Sequence, residues 1–143
     1  MKKIFFRLEV VGDYPPVSME SIWAEPTKEG FFKIDNIPFY SKEVSLGDIV
    51  SAEKQEENYF LYRKTIVHSN NSTIRIIFFN DDQELKDQVL ARLTELGCSF
   101  EAFDEKFYAI NVPITVDIEL IYNFLDSLLE NEELDYETGY LSQ

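Results

Sequence analysis

Thr73-Ile74-Arg75-Ile76-Ile77-Phe78-Phe79 followed by Asn80-Asp81-Asp82 is the stretch from which the fold can be read. Six of these seven residues are β-branched or aromatic and predict a strand, and the three short polar residues after them are a helix-start signal. Leu85, Val89, Leu93 and Leu96 then recur at spacings of four, four and three, one face of a helix, and Gly97 stands where a helix commonly ends. Cys98–Phe103 and Phe107–Val112 predict two strands joined at Asp104-Glu105-Lys106, a connection short enough for an antiparallel hairpin. Pro113 stops the second of them, and Thr115 or Asp117 caps a second helix. Its apolar side is Ile118, Ile121 or Tyr122, Leu125, Leu128 and Leu129. Leu134–Tyr140 closes the series as a strand. The order β, α, β, β, α, β is that of a ferredoxin-like unit, in which two helices cover one face of a four-stranded antiparallel sheet.

Toward the N-terminus the helical period disappears. Ile4–Val11, Ser21–Glu25, Gly30–Ile34, Ile49–Glu53 and Tyr59–Val67 predict short strands, with turns at Thr27–Gly30, Ser45–Asp48 and Gln55–Asn58. Asp35-Asn36-Ile37-Pro38-Phe39-Tyr40 places Asn36 and Pro38 where a strand would break, giving a buried corner. The expected architecture is therefore α+β: a small β-barrel or curled sheet over residues 1–70, packed on a ferredoxin-like βαββαβ subdomain over residues 71–143. The face of that second sheet left bare by its helices must be solvated, covered by the N-terminal sheet, or used for binding. His68–Ser72, polar and short, is the expected junction.

Composition bounds the function. The 143 residues carry 27 Asp and Glu against 13 Lys and Arg, a formal charge of -14. Nucleic acids and anionic membranes draw their ligands through Lys and Arg, so neither is an expected partner. With 45% apolar and 15% aromatic residues the chain has too much packing material for an acidic disordered tail. Residues 1–70 hold 9 basic and 11 acidic side chains, whereas residues 71–143 hold 4 and 16, so the second half carries a net charge of -12. From Cys98 onward Lys106 is the sole base against 11 acids. Mutual repulsion makes such clustering costly, and a basic protein partner is the simplest use for it. Glu130, Glu132, Glu133, Asp135 and Glu137, with Asp104 and Glu105 of the hairpin turn, are the candidate partner-binding residues.

Chemistry-bearing residues are sparse. A lone Cys98 forms no internal disulfide, which fits a reduced cytoplasmic setting, and it is expected as a buried small hydrophobe. The charged start Met1-Lys2-Lys3 resembles a signal peptide, but Arg7 and Glu9 break the apolar run too early, and the segment is expected as a first strand. No run approaches the ~18 apolar residues of a spanning helix. One His and one Cys cannot furnish a zinc site, no acidic calcium loop is present, and five glycines form no phosphate-cradling pattern. No catalytic set, metal or cofactor is expected. The βαββαβ order is shared with RNA-recognition modules, whose first and third strands stack bases on aromatic residues; here those strands lack the basic and glycine positions of that signature. Their aromatics are expected to pack against the N-terminal sheet instead.

Four segments, Trp23-Ala24-Glu25, Phe32 to Tyr40 with its Asp-Asn-Ile-Pro-Phe corner, Gly47-Asp48-Ile49-Val50, and Ser69 to Arg75, resemble a bacterial family known as domain of unknown function 4265. The likeness runs from about Ile22 to the last strand. The family pattern carries glycine and histidine where this chain has Asn70 and Asn71, which weakens a catalytic histidine there; Asn70 can still supply a left-handed turn. Members look like small cytoplasmic companions, and some proteins of this size and charge are immunity proteins that neutralise toxic nuclease domains. The resemblance thus implies a non-catalytic acidic binding protein, with an immunity protein against a basic, nuclease-type toxin as the leading expectation. A small-molecule sensor is the alternative, with a junction pocket formed by Trp23, Asp35, Asn36, His68 and Arg75. A hydrolase using His68 with a carboxylate is the third. Within the resemblance segments, Trp23 is expected as a core anchor and Asp48 as the cap of the Gly47 turn. Arg75 is expected to pair with Asp35 or Glu25, and His68 with Asp35 or Asp48.

Overall fold

The computed structural model describes residues 1–56 and 59–143. Its architecture is α+β: a closed five-stranded barrel and a separate four-stranded sheet with two helices. The barrel strands are β1 (Lys2–Arg7), β2 (Met19–Pro26), β3 (Phe32–Ile34), β4 (Ile49–Lys54) and β5 (Phe60–Val67). Each is hydrogen-bonded to the next, and a parallel pairing of Ile4 with Phe60 and Phe5 with Leu61 closes the ring. Of the two forms the sequence allows, the chain takes the closed one, in which each barrel strand has a hydrogen-bonded neighbour on both sides. Period-two alternation fills the interior with Ile4, Phe6, Ile22, Ala24, Phe32, Ile34 and Val50, joined by Val44 from a loop. The expected turn at Gln55–Asn58 lies partly outside the described residues.

Two barrel strands lose two or more of their expected residues. β1 stops at Arg7 because Gly12, Pro15 and Pro16 interrupt the pattern beyond it; residues 8–18 instead form a loop carrying an isolated Val11–Tyr14 bridge and a cis Tyr14–Pro15 bond. β3 is confined to three residues after a turn in which Gly30 adopts φ +85°.

The chain leaves the barrel through Asn70, held at φ +69°, and enters the second sheet. There β6 (Ser72–Phe78), α1 (Gln83–Glu95), β7 (Ser99–Ala102), β8 (Phe107–Val112), α2 (Ile118–Glu130) and β9 (Leu134–Thr138) follow in the expected order. The sheet runs β7-β8-β6-β9, with every neighbouring pair antiparallel. The Asp82 carboxylate accepts the Leu85 N–H and Asp117 accepts the Glu119 N–H, so each helix begins on an acidic cap. At the end of α1 the Cys98 N–H donates to Leu93 O and the Gly97 N–H to Thr94 O, a pair of bonds that requires a left-handed residue at Gly97. A Cβ there would lie 2.7 Å from Val116, so no other residue fits without displacement. Ile74, Ile76 and Phe78 of β6 share one core with Tyr108, Ile110 and Val112 of β8, Val89 and Leu93 of α1, and Ile121 and Leu125 of α2. Both helices therefore bury their apolar stripes with the same face of the sheet.

Candidate functional site

Strand alternation sends the other residues of the sheet to the opposite face: Arg75 and Ile77 from β6, Phe107 and Ala109 from β8, Glu101 from β7, and Asp135 and Glu137 from β9. The Asn36–Ser41 corner lies over this face. Its backbone has no strand partner, so its polar groups must be satisfied otherwise. Glu20 of β2 accepts the N–H groups of Phe39, Tyr40 and Ser41 at 2.7, 3.2 and 2.8 Å. Glu101 accepts the Ile37 N–H at 2.6 Å and the Asn36 side-chain amide at 3.1 Å. Arg75 takes the acceptors, donating to the carbonyls of Pro38, Ser41 and Tyr40 at 3.1–3.2 Å. The corner is thus clamped between two carboxylates on its donors and one guanidinium on its acceptors. Phe39 rests on Phe103 and Phe107 with ring centroids 5.2 and 5.6 Å away, and Tyr40 packs on the same two rings. Phe107, one of the aromatics shared with RNA-recognition modules, is accordingly spent on the N-terminal half, while Phe78 and Tyr108 lie in the helix-side core.

Where the corner ends, a cavity of about 510 Å³ opens between the β1–β2 loop, the corner and the sheet. Tyr14, Tyr40, Phe103 and Phe107 line it, with Ile77 and Arg75 from β6. Four carboxylates, Asp13, Asp104, Asp135 and Glu137, complete the lining. Glu137 Oε1 receives both the Tyr14 hydroxyl at 2.7 Å and Arg75 Nε at 3.1 Å. Burial, and then the hydrogen bond to Glu137, hold the Tyr14 phenol well above its ordinary pKa. The Tyr40 phenol is raised by burial first and then by the charges of Glu20, Asp104 and Glu137. Both hydroxyls keep their protons at neutral pH and remain donors.

The seven acidic residues singled out in the sequence come from two turns and one strand. The Phe78 N–H donates to Lys106 O and the Phe79 N–H to Glu133 O, so the β7–β8 and α2–β9 turns flank the end of β6. Asp104 and Glu105 stand on one side, and Glu130, Glu132 and Glu133 on the other; Asp104, Asp135 and Glu137 also reach the cavity. Glu132, just past the Asn131 C-cap of α2, holds φ +56°, a left-handed conformation costing a non-glycine residue about 1–2 kcal/mol.

Of the five residues proposed for a junction pocket, three meet: the Trp23 N–H donates to Asn36 Oδ1 at 3.0 Å and the Asp35 N–H to Trp23 O at 2.9 Å, while Arg75 and His68 lie apart from them. Arg75 lines the cavity and Asn36 sits in the corner, whereas Asp35 is exposed. Trp23 is not a core anchor. Its neighbours Ile22 and Ala24 take the barrel interior, so Trp23 faces outward, 45% exposed beneath the Lys3 ammonium at 5.0 Å. Arg75 pairs with Glu137 instead of Asp35 or Glu25, because the register sets it directly opposite Glu137.

His68 lies 3.6 Å from Asp48 and stacks on Tyr140. Asp48 is fully buried and accepts from the Ser45 amide, the Ser45 hydroxyl and the Ser69 amide. The Ser69 hydroxyl donates to Leu46 O at 2.7 Å, so its proton goes to a carbonyl and not to His68. Asn71 donates to the same carbonyl. Gly47, at φ +86°, allows the close approach, since a Cβ would sit 3.2 Å from that of Ser69. These bonds tie the Gly-Asp segment to the Ser69–Asn71 segment. Cys98 is buried, which pushes its thiol up to about 11. Among the described residues no group of three or more His, Cys, Asp or Glu is placed to hold a metal ion, and no helix is long and apolar enough to cross a membrane.

Phe107 packs on the N-terminal half as expected and Tyr40 lies in the expected corner, whereas sequence reasoning missed Glu20, Glu101, Tyr14 and Phe103. For Glu101 the only sequence signal was its place beside Phe100 on a short strand, since neither Phe100 nor Ala102 is buried. Nothing in the unpatterned segment around Tyr14 marked it.

The family model described as domain of unknown function (DUF4265) matches residues 20–136. A crystal structure of a hypothetical protein from Neisseria gonorrhoeae is similar at a TM-score of 0.81 and 22% identity, covering 98% of this chain and 94% of that one. That likeness is one of fold. No curated protein matches the sequence.

Proposed function

The chain belongs to the DUF4265 family of unknown function, and from that premise we propose that it is a non-catalytic cytoplasmic binding protein that docks a basic protein partner, with toxin neutralisation as its physiological role. The observation that carries this reading is the placement of two acidic segments beside the end of β6, the β7–β8 turn with Asp104 and Glu105 on one side and the end of α2 and its turn with Glu130, Glu132 and Glu133 on the other. Carboxylates concentrated this way raise the encounter rate of a basic protein, and a nuclease is basic at the groove that holds its phosphates. We read the C-terminal half as ferredoxin-like, an assignment supported by its strand order and by the core both helices share.

The test is affinity capture from lysate of the source bacterium, comparing the wild type with a variant reversed to Lys at Glu130, Glu132, Glu133 and Asp135. A basic protein retained by the wild type, released by salt and absent with the variant supports the reading. Recovery of no basic protein, or equal recovery by both, ends it. A second reading, a regulatory domain with a small ligand held between the N-terminal half and the sheet, is favoured by the cavity beneath Tyr14 and Tyr40.

A further inference from the structure

The cavity's lining specifies a ligand chemistry that neither of these readings names. Its aromatic side is continuous: Tyr14 and Tyr40 have ring centroids 6.1 Å apart, Tyr40 and Phe107 5.6 Å, and Phe107 and Phe103 5.5 Å. Ring faces carry negative quadrupole potential and attract organic cations, more strongly as water is excluded. Four carboxylates stand around these rings against one guanidinium. That guanidinium is not a free anion receptor. Arg75 is almost completely buried, and its Nε and both terminal nitrogens are engaged, by Glu137 and by three carbonyls of the corner. Its charge is answered by Glu137 and four of its five N–H donors are taken, so an incoming carboxylate or phosphate would find at most one N–H and would meet the repulsion of Asp13, Asp104 and Asp135. Glu137 directs only Oε1 to Tyr14 and Arg75; Oε2 has no partner among the described residues and is open to a donor. At about 510 Å³ the space falls within the range of small-molecule sites.

We propose that this cavity is a binding site for an organic cation, an alkylammonium or guanidinium group received between the Tyr14–Tyr40–Phe107 rings and the carboxylates of Asp13, Asp135 and Glu137. The proposal rests on the binding-protein reading only for the source of the cation, which is either a basic side chain of the partner or a free amine.

The test is a two-dimensional amide NMR titration of the full chain with n-butylguanidinium and n-butylammonium, using n-butanol and butyrate as neutral and anionic controls of similar length. Both cations are expected to give saturable shifts confined to the amides around Tyr14, Tyr40, Asp104, Phe107 and Glu137. For ligands of so few atoms the Kd should be on the order of 1–10 mM. Asp135→Asn and Asp13→Asn, each removing a charge at a surface position, should raise that Kd about three- to tenfold, while Asp87→Asn on the outer face of α1 leaves it unchanged. Butyrate binding as tightly as the cations, n-butanol matching them, or no saturable shift would overturn the proposal. Loss of the cation shifts in a complex with the captured basic partner assigns the site to a partner side chain; their persistence assigns it to a free amine. Absent shifts beside intact partner capture would refute the cation site alone, and shifts without any captured partner would refute the basic-partner reading alone.

Discussion

Replacing Arg75 with Met tests the junction at its most concentrated point. Met keeps an unbranched apolar stem in a side chain that is 1% exposed, so packing is largely preserved while four hydrogen bonds disappear. The carbonyls of Pro38 and Ser41 lose their guanidinium partner inside the protein, and each buried acceptor left unpaired costs about 1–3 kcal/mol. Tyr40 O is only partly buried and recovers water, and Glu137, a third exposed, is rehydrated at little cost. Relief from desolvating the guanidinium offsets part of the loss. The net destabilisation should be about 3–4 kcal/mol, in the range seen when one partner of a buried polar pair is removed. For a chain of this length that corresponds to a drop in Tm of roughly 10 °C. Urea unfolding followed by circular dichroism supplies the free energy, and an unchanged m-value confirms that the variant starts from the same fold. Glu137→Gln, which keeps an oxygen for Tyr14 and Arg75 and removes only the charge, should cost less than about 1 kcal/mol. A loss below about 1 kcal/mol for Arg75→Met would refute the clamp. Equal losses for the two variants would show that the ion pair, and not the cradle of carbonyls, holds the corner.

Glu132→Gly should stabilise the protein by about 1 kcal/mol in the same assay, because glycine adopts the left-handed turn after α2 without strain; a destabilisation would show that the carboxylate itself holds the turn. Trp23→Ala should cost less than about 1 kcal/mol, and Ile22→Ala about 2–5 kcal/mol, since only the second residue lies inside the barrel; reversed magnitudes would contradict that orientation. Cys98 should resist alkylation in the native state at pH 8 and react only as fast as the chain opens, so rapid labelling without denaturant would refute its burial. The Tyr136 phenol is pushed up to about 12, by burial and then by its hydrogen bond to Asp126. The folded value exceeds the unfolded value of about 10, so this stabilisation is complete below pH 10 and is lost as pH rises from 10 to 12. Tyr136→Phe should therefore flatten the decline in stability across that interval, and an identical decline would remove Tyr136 as its source.

Local pattern made much of the second sheet legible. Leu85, Val89 and Leu93 at helical spacing, Asp82 and Asp117 at the caps, and Gly97 at a left-handed end each act within a few residues, where chain geometry alone decides the outcome. The same holds for Asn70, which takes the expected left-handed turn. Trp23 was misread because its size suggested burial, although alternation with Ile22 and Ala24 already placed it outside the barrel. The cavity was hidden for a different reason. Its parts, Tyr14, Tyr40, Phe103 and Glu137, are scattered over more than 120 residues and meet only when the corner is laid on the sheet.

By itself the sequence determined the order of elements, the acidity of the second half and the presence of a single histidine and a single cysteine, because these follow from residue type and spacing along the chain. The tertiary structure alone decided that the barrel closes, that Arg75 is spent on three carbonyls and Glu137, and that carboxylates from three separate segments converge on one aromatic cavity. Those outcomes depend on strand register and on where unpaired backbone groups find partners, which are settled only when distant segments compete for the same bonds.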